Sequence, residues 1–325
     1  MLAQIALPNT ELQVSEICLG TNHFGSGVPT AAAREILDTF FQAGGNFIDT
    51  AHSYGDWIPD IERGASERAL GELLAQRPRD SYVLATKGCE FDYRAGDFAL
   101  RVNPNCLAAD LSGSLERLRT DYIDLYWLHR DDPSVPVAEI MDALIEHQQA
   151  GRIRYFGCSN WSVERIQEAQ DYANSIGHSG FVAVQPMWGL ASPDRQAMWT
   201  YAPGGYYEDG YQTVHEQGLT MIPYSGQSRG VFSKLAQDRS GASLAPDVSA
   251  LYFNETNLAT LDRLQQMSER KCVSINGLVL AYMLSQSSTT IPIIGASSAT
   301  QLGESIAGCG LRLTPEELAE LRPRQ

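Results

Sequence analysis

Asn46-Phe-Ile-Asp-Thr-Ala-His-Ser-Tyr54 is a short apolar run that ends on a carboxylate and opens into a turn carrying a phenol. Two later segments repeat the pattern. Tyr82-Val-Leu-Ala-Thr-Lys87 ends on an amine, and Ile123-Asp-Leu-Tyr-Trp-Leu-His129 ends on an imidazole. Each run precedes a stretch with helix-like patterning. Ionisable groups at the carboxyl ends of successive strands are how a parallel barrel builds an active site from its loops. Asp49, Tyr54, Lys87 and His129 are accordingly the candidate catalytic residues.

The same alternation extends in both directions. Strand-like runs fall at 17–21, 47–50, 82–87, 123–129, 155–159, 182–186, 220–224 and 290–294. Helix-like stretches lie at 31–43, 66–74, 105–119, 137–150, 162–176, 207–217 and 274–285, with 298–307 after the last strand. Ser66 with Glu67 and Ser162 with Glu164 mark two helix starts, and Thr314-Pro-Glu-Glu317 reads as the capping box of a final helix. The strand runs are apolar almost throughout rather than alternating, as expected when helices cover one face and a packed interior the other. The prediction is α/β: a (β/α)8 TIM barrel forming one domain over 1–325. A hairpin of 4–7 with 12–15 around Pro8-Asn9 should close its bottom, and two long segments, 188–206 and 225–253, should overhang the catalytic face.

Composition agrees with such a fold and narrows the function. The 325 residues are 43% hydrophobic, enough for a large core, and carry a net charge of −15. That acidity argues against nucleic acid or an anionic membrane as partner, since phosphate backbones need basic stripes. No apolar run reaches a membrane-spanning length of about 18 residues, and the opening Met-Leu-Ala-Gln-Ile-Ala-Leu-Pro-Asn does not read as a secretory signal. The six cysteines are scattered without metal-binding spacing, which points to a reducing, cytoplasmic setting and no metal site. Cys18 and Cys158 read as small core residues, and Cys89, just beyond Lys87, as core in preference to pocket lining.

The four candidate groups suit one chemistry. A phenol with an ordinary pKa near ~10 is a poor proton donor at neutrality. A neighbouring ammonium favours the phenolate and pulls that pKa down. A buried aspartate holds the ammonium charged in place, and a histidine alongside orients a substrate oxygen or shares the proton. The set lacks a nucleophile–base pair for hydrolysis; reduction of a carbonyl by an external hydride fits.

Gly45-Asn-Phe-Ile-Asp-Thr-Ala-His-Ser-Tyr-Gly, Ala85-Thr-Lys-Gly, Asp124-Leu-Tyr-Trp-Leu-His and Ile153-Arg-Tyr-Phe-Gly-Cys-Ser-Asn resemble the signature segments of the aldo-keto reductase superfamily, in order from Gly20 to Ser305. The family's catalytic tetrad falls on Asp49, Tyr54, Lys87 and His129. The resemblance implies a nicotinamide cofactor bound across the C-terminal face without a Rossmann domain; Gly20-Thr-Asn-His-Phe-Gly-Ser-Gly is not a dinucleotide fingerprint. It further implies that Gly20, Thr21, Asn22 and Asp49 border the cofactor. Ser159, Asn160 and Gln185 would hold the carboxamide, and Tyr224 would stack on the nicotinamide. Ser225, Gln227 and Gly230 would approach the pyrophosphate. Gly295, Ala296, Ser297, Ser298, Gln301 and Glu304 would surround the adenosine end. That last segment departs from the pattern: it has no Lys or Arg to grip a 2′-phosphate, and Ser305 stands where asparagine is common. Serine hydroxyls and helix N-terminal amides also bind phosphate, so NADP(H) is placed ahead of NAD(H), with both open.

For the substrate, a small-molecule aldehyde, ketone or sugar, the expected contacts are Phe24, Trp57, His129 and Trp188. Trp199, Tyr201, Tyr206, Tyr207 and Tyr211, with Phe91, suit either a pocket wall or a packed loop, and His23 either pocket or structure. The run from Asp56 to Glu67 carries a small insertion relative to the family pattern, which should reshape the pocket beside Tyr54. Two competing readings are a Schiff-base aldolase using Lys87 and a cofactor-binding regulatory subunit.

Overall fold

The computed structural model describes residues 1–96, 98–201, 211–216 and 218–323. Two antiparallel strands, β1 (Gln4–Ala6) and β2 (Gln13–Ser15), form the opening hairpin. Then come β3 (Cys18–Gly20), β4 (Phe47–Asp49), β5 (Val83–Gly88), β6 (Ile123–Leu128), β7 (Ile153–Ser159), β8 (Ala183–Gln185), β9 (Thr220–Met221) and β10 (Ile293–Ile294), all parallel, in an eight-stranded sheet ordered β10-β3-β4-β5-β6-β7-β8-β9. The open edges meet: Ile291 N donates to Met221 O at 2.8 Å, and Ile293 N to Pro223 O at 2.9 Å. The sheet is therefore a closed barrel, its helices filling the connections as expected.

Period-two alternation divides most of the barrel strands between two cores. Ile48, Leu84, Tyr126, Leu128 and Val184 face outward to the helices. Phe47, Val83, Ala85, Leu125, Trp127 and Ala183 fill the barrel, capped from below by Leu7, Leu12 and Val14 of the hairpin. Asn46 pins that hairpin, accepting from Ser15 N at 2.7 Å and donating to Gln13 O at 2.8 Å. The plug is where the sequence put it.

Three expectations need correction. β9 and β10 are shorter than the apolar runs suggested because Pro223 and Pro292 have no N–H for a continuous ladder. Ser66 does not cap its helix (Ala65–Leu74): Gly64, in the left-handed region, is the N-cap. The Ser66 hydroxyl instead donates to Thr21 O at 2.7 Å inside the fold. The long segment 225–253 holds helices Val231–Gln237 and Pro246–Tyr252, and a 17-residue helix, Glu255–Lys271, follows it. That helix escaped sequence reading because its buried face mixes Asn257 and Thr260 with Leu261, Leu264 and Met267, blurring the apolar period. Ser162, Ser298 and Thr314 are N-caps, the last with the complete capping box.

Candidate active site

The alternation that fills the barrel also aims the site. Asp49 follows Phe47, Lys87 follows Ala85, and His129 follows Trp127, two residues apart in each case, so all three project inward at the carboxyl ends of β4, β5 and β6. Beyond Asp49 the chain stays bonded to β5, Thr50 N to Ala85 O at 3.0 Å and His52 N to Lys87 O at 3.0 Å, before turning to bring Tyr54 over Lys87. Lys87 Nζ donates to the Asp49 carboxylate, to Thr50 O at 2.8 Å and to Tyr54 Oη at 2.9 Å. The second oxygen of Asp49 accepts from Gln185 Nε2 at 3.0 Å. His129 lies edge-on to Tyr54, ring centroids 5.9 Å apart.

Burial sets the electrostatics. Lys87 is fully buried and Asp49 nearly so. Burial alone disfavours the ammonium, but Asp49 and then Tyr54 outweigh it, so the Lys87 pKa is raised and the amine stays charged. The phenol does not behave as its lysine neighbour alone would dictate. Burial raises the Tyr54 pKa more than Lys87 lowers it, and Asp49 raises it further, so the group is held protonated. Lys87 therefore does not pre-ionise the tyrosine. Burial, then Lys87 and Arg130, push His129 well below the ordinary histidine value; its ring is neutral.

Around this core, β7 and β8 align Ser159 with Gln185. Ser159 Oγ donates to Gln185 O at 2.7 Å; Asn160 Nδ2 donates to His129 O at 3.1 Å and accepts, through Oδ1, from Tyr224 Oη at 2.8 Å. Thr21 Oγ1 donates to Asp49 O at 3.0 Å, tying the chain just beyond β3 to the same end of the barrel, with Asn22 next in sequence. Gly20 has no room for a side chain, since a Cβ would stand 2.8 Å from Ile293 Cγ2. The loop after β9 runs Ser225, Gln227, Gly230, and Gln227 Nε2 donates to Asn276 Oδ1 at 2.8 Å and to Ser305 Oγ at 3.1 Å. Past β10, Gly295 and Ala296 lead to helix Ala299–Gly308, which Ser298 caps by accepting from Gln301 N at 3.2 Å, while Ser297 N donates to Gln301 Oε1 at 2.8 Å. Glu304 is exposed on that helix.

The insertion after Tyr54 forms a wall. Asp56 Oδ1 accepts from Gly64 N at 2.9 Å, and Arg94, from the loop beyond β5, donates to Asp56 O at 3.1 Å and Ile58 O at 3.2 Å. This presents Trp57, 39% exposed, edge-on to Tyr54 at 6.1 Å and to Tyr93 at 5.9 Å. Phe24 and Trp188 are buried; Trp188 packs near Tyr282. Tyr206 and Tyr207 lie outside the described residues. Sequence reasoning missed Glu90 and Tyr93. Glu90 is buried three residues past Lys87, its Oε1 accepting from Arg130 Nε at 2.7 Å and its Oε2 lying 3.3 Å from His129 Nδ1. A carboxylate so close behind a strand-end lysine was the available signal. Among the described residues, no cluster of three His, Cys, Asp or Glu side chains could hold a metal, and no helix is long and apolar enough to cross a membrane.

A sequence model described as the aldo/keto reductase family matches residues 16–323. A norsolorinic acid reductase from Emericella nidulans is 30% identical over 98% of this chain and 80% of its own length. Norsolorinic acid reductase A from Aspergillus parasiticus is 29% identical over 98% and 79%. An aryl-alcohol dehydrogenase from Pestalotiopsis microspora is 25% identical over 98% and 80%.

Proposed function

Because this chain belongs to the aldo/keto reductase family and is a nicotinamide-dependent carbonyl oxidoreductase, we propose that Tyr54 is its proton donor, acting on an aromatic aldehyde or ketone. The observation that carries this reading is the Lys87 ammonium, buried and bonded at once to the Asp49 carboxylate and the Tyr54 hydroxyl. Bound reduced nicotinamide supplies the hydride. Tyr54 Oη gives its proton to the carbonyl oxygen, and the phenolate left behind is stabilised by the cation 2.9 Å away in a mouth of low dielectric. Asp49, itself held by Gln185, fixes Lys87. The same contacts weigh against a Schiff-base aldolase, since a charged, ion-paired amine has no lone pair for a carbonyl carbon.

The residues toward the cofactor fit a nicotinamide dinucleotide. Ser159 and Asn160 offer amide-matching polar groups beside Gln185 at the barrel mouth. The loop after β9 carries positive φ at Ser225, Ser228, Arg229 and Gly230, and nothing lies within 4 Å of where a Gly230 Cβ would stand. Such a turn lets backbone amides approach a pyrophosphate. We place NADPH ahead of NADH. Ser297 and the N-cap Ser298 stand at the start of the helix Ala299–Gly308, and Arg229 brings a cation to the neighbouring loop, paired with Asp247. An aromatic substrate is favoured by the Trp57–Tyr93 wall beside Tyr54 and by relatives named for norsolorinic acid and aryl alcohols. Free cysteines at Cys18, Cys89, Cys158 and Cys309, all buried, suit a reducing cytoplasm.

The test is a panel of aryl and alkyl aldehydes, ketones and sugars assayed with each reduced cofactor through loss of its near-ultraviolet absorbance. Aryl carbonyls should be preferred. Tyr54→Phe should lower turnover about 10²–10⁴-fold, the usual worth of a general acid, with cofactor affinity nearly intact. Near-normal turnover in that variant would remove Tyr54 from its role.

A further inference from the structure

Beside His129 two polar atoms are buried with no hydrogen-bond partner among the described residues: Glu90 Oε2 and His129 Nδ1. They are 3.3 Å apart, just beyond the usual N–H···O range of about 2.7–3.2 Å, so a small adjustment joins them. Each is the other's means of satisfaction, and a buried polar group left without one is costly. The rest of the Glu90 carboxylate is already committed. Oε1 accepts from Arg130 Nε at 2.7 Å and from Phe91 N at 3.2 Å. The His129 backbone is fixed, N donating to Gly88 O at 2.9 Å and O accepting from Asn160 Nδ2 at 3.1 Å, and its ring packs edge-on to Tyr54 with centroids 5.9 Å apart.

We propose that Glu90 is a positioning residue for His129: its carboxylate accepts the Nδ1 proton and fixes the imidazole as the Nδ1–H tautomer, with a lone pair on Nε2. The Arg130 guanidinium and the Phe91 N–H are both donors, and both favour the ionised carboxylate over the acid. Burial works against that charge and raises the Glu90 pKa above its ordinary value, with Arg130 the principal group holding it down. On the histidine side, burial first and then Lys87, Arg130 and His52 oppose a second ring proton, so the ring carries a single proton. If Tyr54 protonates a carbonyl oxygen as proposed, the tautomer decides what His129 can hold. A neutral ring protonated on Nδ1 accepts hydrogen bonds at Nε2. His129 then grips the hydroxyl of an alcohol, and the carbonyl oxygen relies on the Tyr54 O–H.

Glu90→Gln tests this sharply. Arg130 and Phe91 will still demand an acceptor, so the glutamine oxygen takes the place of Oε1 and its NH₂ faces His129 Nδ1. The ring must then accept there and carry its proton on Nε2. Long-range ¹⁵N–¹H correlation spectra of ¹⁵N-histidine-labelled protein read the tautomer directly, with the His129 signals identified by their loss in His129→Asn. The expected result is Nδ1–H in the wild type and Nε2–H in Glu90→Gln, together with a raised KM for alcohols and a lowered KM for carbonyls in the variant. Nε2–H in the wild-type spectrum would overturn the assignment, and so would one tautomer common to both proteins. If the variant does not fold, the wild-type spectrum alone decides. Nδ1–H in a protein that turns over no carbonyl would uphold this inference while defeating the catalytic one.

Discussion

Asp49→Asn should break the site at its foundation, and the structure sets the size of the effect. Lys87 is 0% exposed and Asp49 1%. Asp49 accepts from two donors, Lys87 Nζ on one oxygen and Gln185 Nε2 on the other. An asparagine has one oxygen for those two donors, so in either orientation its NH₂ opposes a donor while the ammonium loses its bonded anion. Removing one partner of a buried ion pair costs about 3–5 kcal/mol, a large part of a typical total stability of about 5–15 kcal/mol. The intact pair is not itself a large stabiliser. At Asp49 burial outweighs the cation and raises the carboxyl pKa, whereas at Lys87 the anion outweighs burial. Of the two, the direction that bears on the prediction is the lysine held charged. Asp49→Asn with Lys87→Met should therefore recover most of the loss.

The pH dependence follows. In the wild type the folded Lys87 pKa is raised, so its stabilisation is complete below the unfolded lysine value of about 10.4 and fades as pH climbs through the folded one. In the variant the largest charge opposing burial is gone, and burial depresses that pKa. The gap between the two proteins should thus narrow as pH rises toward about 10.4. Urea unfolding followed by tryptophan fluorescence, from neutral to alkaline pH, measures it. A loss below about 1 kcal/mol at neutrality, the worth of an exposed pair, would refute the reasoning.

Carbonyl reduction should show no inflection in the ordinary histidine range around pH 6.5, because His129 is held neutral well below it; an inflection there that disappears in His129→Asn would contradict this. Arg117→Met should cost about 3–5 kcal/mol, since it strips Glu67, which is 0% exposed, of the guanidinium 2.7 Å away. A melting temperature lowered by several degrees, and largely restored by adding Glu67→Gln, is the expected calorimetric result.

The apolar runs ending at Asp49, Lys87 and His129, spaced by helical stretches, were enough to establish a parallel barrel and three of its catalytic candidates. Both properties are local, since period-two patterning and position at a strand end are written in consecutive residues. Tyr54 could be read from the same segment because only a turn separates it from Asp49. Cofactor positions such as Ser297 and Gln301 came from resemblance, not from any pattern of their own. The helix Glu255–Lys271 stayed hidden because its buried face carries asparagine and threonine, whose partners, such as Ser192 for Asn257, lie far away in the chain.

What the chain could not announce by itself is the balance of energies at the site. From sequence, Lys87 beside Tyr54 implies a phenol made more acidic. Folding withdraws enough of that half-buried phenol from water that its pKa rises instead, because desolvation depends on everything packed around a group and not on its nearest charged neighbour. The pairing of Glu90 with His129 belongs to the same kind of information. Two residues 39 positions apart meet at 3.3 Å only because β5 and β6 lie side by side, and no local pattern encodes which strands become neighbours.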